Sequence, residues 1–496
     1  VDLDEGDLGA QLITHPAVDR VILTGSFETA ALFRSWRPDL ALQAETSGKN
    51  AMIVMPSADL DLAASDLVRS AFGHAGQKCS AASLAILVGP VARSQRFSRQ
   101  LVDAATSLRV GSPDDPLTEI GPLVEAPSGK LEWALTTLDE DEAWLVEPRE
   151  LADDRYPGRL WTPGIRTGVK PGSRVHLEEF FGPVLGVMHA RSLEHAIELQ
   201  NAVDYGLTAG LYTQNPDDLA LWLDRVEAGN LYVNRGTTGA IVQRQPFGGW
   251  KRSSVGGGAK AGGPNHLIGL GSWRPTAGAA TSSTLHLKGL DSSITDVIEA
   301  AQPALGYEAF EWLRRGALSD AVAWNRIFGK VVDVSHLGVE RNLFRYRPAT
   351  AEIRSTTDAA PQSLIRAIIA AVRAGSAFTV STPAGLPATV RSALTALDVP
   401  VFVESDDQWF ARMSGPGSED APARADRVRL VGPPAQVREV RTALVAAIDG
   451  DPDLAVYADE VTQAGRIELL PFLREQAISI TAHRFGNPDH WSEAVI

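Results

Sequence analysis

Residues 50–89 read NAMIVMPSADLDLAASDLVRSAFGHAGQKCSAASLAILVG. NAMIVM (50–55) and SLAILVG (83–89) are short apolar runs of the kind that form strands buried on both faces. Between them, DLDLAASDLVRSAF (59–72) spaces its apolar residues for an amphipathic helix, with Asp59 placed to cap the first turn. Strand, helix and strand in this order make a parallel βαβ unit, so the chain is expected to be an α/β protein.

The same alternation extends in both directions. AVDRVILTG (17–25) precedes the helical ETAALFRSW (28–36), and a basic helix is expected near 91–106. GPVLGVMHA (182–190) with SLEHAIELQNAV (192–203), and LTAGLYT (207–213) with DDLALWLDRV (217–226), repeat the pattern. Around 251–283 the texture turns rich in Gly, Ser and Ala, which places a domain boundary at about 273–284. Beyond it, FTVSTPAG (378–385) with LPATVRSALTAL, and DRVRLVGPP (426–434) with AQVREVRTALVAAI, predict a second, smaller α/β body. The run DEDE (139–142) reads as a solvated acidic face.

Composition narrows the function. A net charge of −15 argues against nucleic acid or an anionic membrane surface as the main partner. No apolar run approaches the ~20 residues that span a bilayer, and no signal peptide is visible at the start, VDLDEGD. The single cysteine, Cys79, excludes an internal disulfide and any multi-cysteine metal site. It suits a reducing compartment, so a cytoplasmic location is expected. His74 with Cys79, and His483 with His490, each lack a third metal ligand, and there is no HExxH, so no metal is expected.

Several residues then stand out, each with two readings. Cys79, in GHAGQKCSA, is either a small buried hydrophobe or a nucleophile whose pKa is lowered by Lys78 and turn N–H groups. Glu45, in ETSGKN just before a strand, is either a surface turn residue or a carboxylate raised by partial burial toward general-base duty. The TGS turn (24–26) can turn N–H groups toward a phosphate or a nicotinamide. EEFFGPVLG (178–186) either aims Glu179 at ribose hydroxyls and lays Phe181 against a flat ring, or is a strand-entry turn with a core Phe. NRGTTGAIVQRQPFGG (234–249) can offer N–H groups to an anion. VGGGAKAGG (255–263) is not a dinucleotide fingerprint, because it follows no predicted strand and opens no helix.

The ordered set TGS, ETSGKN, GQKCS, EEFFGP and PFGG resembles the aldehyde dehydrogenase superfamily. Within it, GHAGQKCSA, NRGTTGAIVQRQPFGG and KAGGP are closest to L-glutamate γ-semialdehyde (1-pyrroline-5-carboxylate) dehydrogenases. ERNLFRYRP (340–348) and LLPFLREQAISITAHRFGNP (469–488) are similar to the C-terminal region of long proline utilisation A proteins.

This resemblance implies parallel sheets of the aldehyde dehydrogenase kind, with residues 1–44 the end of an NAD-binding domain and 45–246 the catalytic domain. Residues 247–273 are then a return segment or oligomerisation region, 274–283 a linker, and 284–496 a degenerate dehydrogenase-like, Rossmann-like α/β domain. It implies NAD as cofactor, Cys79 as nucleophile and Glu45 as the base for thioester hydrolysis. Gly25, Ser26, Glu179 and Phe181 correspond to cofactor contacts. Ser80, Gly239 and Ala240 correspond to the anchor of the substrate carboxylate, and Phe247 to an aromatic wall.

The substrate implied is L-glutamate γ-semialdehyde, with succinic semialdehyde the same-class alternative; residues 284–496 are expected to be a non-catalytic scaffold. A homo-oligomer and an upstream proline dehydrogenase domain in a longer parent chain are also implied. The family's first dinucleotide-fold strands, its oxyanion asparagine and its ribose-side lysine find no counterpart here. The chain is therefore expected to be the later part of a longer enzyme, and inactive when expressed alone.

Overall fold

The computed structural model describes residues 7–275, 289–415 and 424–496. Of the linker expected at 274–283, residues 276–283 lie outside the described residues. The opening segment folds as strand Asn50–Val54, helix Leu60–Phe72 and strand Ala82–Val88. Asp59 caps the helix, its Oδ1 accepting the Leu62 N–H at 3.3 Å.

The two strands are neighbours at the centre of a ten-stranded sheet. On one side follow Val184–Ala190, Gly164–Thr167 and Ala143–Val146; on the other, Thr208–Tyr212, Asn230–Val233, Leu473–Thr481, Glu340–Pro348 and Val332–Asp333. The middle of the sheet is parallel, and its strands are buried on both faces, as their unbroken apolar runs require. Leu67, Phe72, Ile86, Leu185 and Trp222 pack in the core around it. The buried Trp222 indole donates to Gln200 Oε1 at 2.8 Å, and Gln200 Nε2 donates to Ala51 O at 3.1 Å, tying the helical layer to the central strand.

Arg20–Thr24, Ala41–Glu45 and Ser254–Val255 form a separate three-stranded sheet, with Arg20–Thr24 on its edge. The tail builds a parallel sheet of its own, in the order Val401–Val403, Phe378–Thr382, Ala351–Ser355, Arg427–Val431 and Ala455–Tyr457. Inside it Arg366 forms a two-pronged pair with Asp320, both bonds 2.7 Å and both side chains fully buried. Three tail strands, however, leave this body, the short Val332–Asp333 pairing on the outer side of Glu340–Pro348. Leu473–Thr481 pairs in parallel with Asn230–Val233, and Glu340–Pro348 runs antiparallel along its other side. The tail thus completes the main sheet.

Two sequence readings change. DEDE is not wholly solvated: the Glu142 side chain is 2 % exposed and lies 3.4 Å from the buried Arg166, which is stacked between Trp133 and Trp144. A buried guanidinium needs a counter-charge, and Glu142 supplies it as an ion pair, with Asp139 of the same run adding to the field. VGGGAKAGG does begin on a strand, the two-residue Ser254–Val255, although no α-helix opens after it and only the short 3-10 turn His266–Leu270 follows. No helix among the described residues is long and apolar enough to cross a membrane, and none of their His, Cys, Asp and Glu side chains cluster in threes to hold a metal ion.

Candidate active site

The helix Leu60–Phe72 ends in a turn in which His74, Ala75 and Gly76 all have left-handed backbone, with φ of 56°, 54° and 69°. Three such residues in succession reverse the chain and are strained for the two that carry a Cβ. At Gly76 no other residue fits, since a Cβ would stand 2.1 Å from Gly182 O. That contact presses the Cys79 turn against the turn that carries Glu179 and Phe181. From below, the buried Asn50 donates through Nδ2 to Cys79 O at 2.7 Å and to Ala81 O at 2.9 Å, while its Oδ1 accepts the Thr208 N–H at 3.0 Å. The half-buried Cys79 is therefore held by the end of the central strand.

The thiol is not activated as Lys78 suggested. Burial pushes its pKa up, and the side chains acting on it are the carboxylates of Glu179 and Glu45, which push it further against the Ser80 N–H. Glu45 ends the strand Ala41–Glu45; its Oε2 accepts the Gly249 N–H at 2.9 Å. Burial raises its pKa to about 8, opposed by Lys260 and by that N–H. Glu45 O also accepts the Gly25 N–H at 3.2 Å, so the TGS turn is pinned to the same strand end. Ser26 caps the helix Phe27–Trp36, its Oγ accepting the Thr29 N–H at 3.1 Å.

Glu179 is buried, its Oε1 accepting the Gly48 N–H at 3.0 Å, and burial raises its pKa. The two phenylalanines of EEFFGP divide the roles left open by the sequence. Phe180 is the core residue, beside Trp133, with Lys49 Nζ 5.0 Å from its ring. Phe181, with φ of 54°, is 41 % exposed and available to a flat ring.

In the 234–249 loop, Thr237 donates through Oγ1 to Ser80 O at 3.0 Å, and its N–H bonds Ser70 Oγ at 3.1 Å. Gly239, with φ of 84°, and Ala240 stand at the exposed crest of that loop, reached from Cys79 through Ser80 and Thr237. Phe247 exchanges backbone bonds of 3.0 and 2.8 Å with Ala261, which sets it two residues before the Gly249 that binds Glu45. The structure thus brings Cys79, Glu45, Glu179, Gly25 and the Phe247 turn to one place.

Sequence reasoning missed the supports. Lys260 is 1 % exposed; its Nζ donates to Asn230 Oδ1 at 2.9 Å and to Gly248 O. Gln245, also buried, donates to Asn342 Oδ1 at 2.7 Å and to Ser479 Oγ at 2.9 Å, so the tail strands hold the loop. The sequence signal for Lys260 was its place at the head of KAGGP, which carried the family resemblance but no role for the cation.

The sequence profile of the Aldehyde dehydrogenase family matches residues 3–268. The chain belongs to this aldehyde dehydrogenase family. Among proteins similar to this family member, the 1-pyrroline-5-carboxylate dehydrogenase of Bacillus subtilis (strain 168) is 38% identical over 273 residues, 53% of this chain and 52% of that protein. The protein of the same name from Geobacillus kaustophilus (strain HTA426) is 38% identical over 270 residues, 53% of this chain and 51% of that one. The chain spans about half the length of these relatives. The solved structure of Proline Utilization A (PutA) from Corynebacterium freiburgense is 43% identical with a TM-score of 0.77, covering 98% of this chain and 44% of that chain. That last likeness runs through the tail as well as the dehydrogenase part.

Proposed function

We propose that this chain is the L-glutamate γ-semialdehyde dehydrogenase portion of a longer protein, oxidising the aldehyde to L-glutamate in proline breakdown. The observation that carries this reading is the convergence of Cys79 with the buried carboxylates Glu45 and Glu179 at the end of the central strand. The similarity to 1-pyrroline-5-carboxylate dehydrogenases supports the substrate, and the likeness of nearly the whole chain to a PutA supports a parent chain that also carries a proline dehydrogenase domain.

Cys79 Sγ attacks the aldehyde carbon, and the thiol proton passes to a neighbouring carboxylate. Ser80 N–H, already directed at the sulfur, is the donor this chain offers near the developing oxyanion. The outward Phe181, the Glu179 carboxylate and the Gly25–Ser26 helix start fit a cofactor with a flat ring, a ribose and phosphates. Bound there, NAD⁺ supplies the acceptor for the hydride that leaves the thiohemiacetal carbon. Glu45 then takes a proton from the water that attacks the Cys79 thioester, and release of L-glutamate restores the thiol. Ser80, Gly239 and Ala240 anchor the distal carboxylate and Phe247 walls the aliphatic chain. A site built to bond a carboxylate disfavours aldehydes without one, because its own polar groups stay unpaired.

The test is kinetic. In the full-length enzyme, Cys79→Ala abolishes NADH formation, whereas Glu45→Ala leaves a burst of about one NADH per site followed by a slow phase. Retention of turnover by Cys79→Ala, or a preference for succinic semialdehyde over L-glutamate γ-semialdehyde, rules this reading out.

A further inference from the structure

Behind Glu45 lies a buried polar network that the reaction as derived leaves unused. Gly249 N–H donates to Glu45 Oε2, and the preceding Gly248 donates its N–H to Asn230 Oδ1 at 3.1 Å while its carbonyl accepts from Lys260 Nζ. Lys260 Nζ also reaches Asn230 Oδ1. The backbone N–H of Lys260 donates to Glu475 Oε2 at 2.6 Å, and Asn265 Nδ2 donates to Glu475 Oε1 at 2.5 Å. Glu475 stands on the tail strand Leu473–Thr481, the one that pairs with the strand bearing Asn230. Lys260 and Glu475 are both buried. A lysine ammonium is not placed in a core without a task for its charge, since burial without compensation costs several kcal/mol.

We infer that Lys260 is a positioning residue for Glu45, held in place by Glu475, so that the tail takes part in the water-activation step rather than only covering the catalytic domain. The inference rests on the function proposed above. Its logic is electrostatic. The groups that face Glu45 are Lys260, Cys79 and, farther off, Glu475; those that face Glu475 are Lys260, Arg427, Tyr346 and Tyr457. The Lys260 cation favours the Glu45 carboxylate, and the Glu475 anion disfavours it. Both carboxylates in turn hold Lys260 in its charged form, against the burial that lowers its pKa to about 8. Lys260 also fixes the carbonyl of Gly248, which orients the next N–H onto the base.

A purely structural role does not carry a sign, and this one does. The experiment records NADH traces of the full-length enzyme with L-glutamate γ-semialdehyde over about pH 6 to 10, the burst reporting acylation and the steady phase hydrolysis. Lys260→Met is expected to keep the burst and to move the rise of the hydrolysis rate to higher pH by about 1–3 units, the effect of removing a near opposite charge. Lys260→Arg brings it back. Glu475→Gln, which keeps an oxygen for the Lys260 N–H and removes only the charge, moves the same rise the other way, by about 1 unit or less.

An unmoved profile in Lys260→Met, or displacement of both variants in one direction, overturns the inference. If Lys260→Met fails to fold, Glu475→Gln decides alone: an acid displacement supports the network, and none or an alkaline one ends it. No NADH at all from the unsubstituted enzyme removes the underlying function instead.

Discussion

Glu45 holds its proton because burial outweighs the Gly249 N–H and the Lys260 cation, which leaves its pKa at about 8. Water activation needs the carboxylate, so the steady rate of aldehyde oxidation is expected to rise as pH increases through about 8 and to level off above it. The burst of the first turnover follows Cys79 and is not expected to share that dependence on Glu45. A pH series of steady-state and single-turnover rates checks both. The places of Cys79 in a turn and Glu45 at a strand end were legible in the sequence because their neighbours announce both, whereas the roles proposed for them rest on the family resemblance. The pKa of Cys79 was not, because the side chains that set it come from residues 45 and 179 rather than from Lys78.

Among elements, the Gly73–Gly76 turn is the most exacting. Gly76→Ala combines a positive φ with a Cβ 2.1 Å from Gly182 O, so either the Cys79 turn or the Glu179 turn has to move. The expected cost is about 1–3 kcal/mol of stability, with a loss of ~10²-fold or more in the NADH burst rate, as a misplacement of about 1 Å at the nucleophile produces. Thermal melts and rapid-mixing kinetics measure the two parts. The strand–helix alternation around this turn was legible because continuous apolar runs and Asp59 are local signals. Which phenylalanine of EEFFGP faces outward rested on the family resemblance that singled out Phe181, since both have the same chemistry and the positive φ at Phe181 is not a local sequence signal.

Over the whole molecule, the tail is bound into the catalytic part by side chains that the sequence keeps far apart. Gln245 reaches Asn342 and Ser479, and Arg235 pairs with Glu340 at 2.9 Å. Gln245→Ala removes the anchor of the loop that bears Gly239 and Ala240. It is expected to raise KM for the carboxylated aldehyde by about 10-fold or more with a smaller change in kcat, the signature of lost binding rather than lost chemistry, read from initial rates. Within the tail, Asp320→Ala strands the buried Arg366 and is expected to cost about 3–5 kcal/mol, visible as an early unfolding step in denaturant. The second α/β body was legible from its strand–turn–helix repeats. Its insertion into the main sheet was not, because β pairing across hundreds of residues leaves no periodic trace in either strand.

The position of Leu473–Thr481 between Asn230–Val233 and Glu340–Pro348 also fixes an order of events. Synthesis runs from the N-terminus at roughly 5–20 residues per second. The strand that seals the catalytic sheet therefore leaves the ribosome after everything it joins, and Lys260 meets Glu475 across 215 positions of chain. Until then the edge of Asn230–Val233 is an open template for a foreign strand. A chain broken off before residue 473 keeps both Cys79 and Glu45 yet leaves Lys260 without Glu475. On the function and the network proposed above, prematurely terminated or clipped copies are expected to retain the nucleophile and lose the setting of the base.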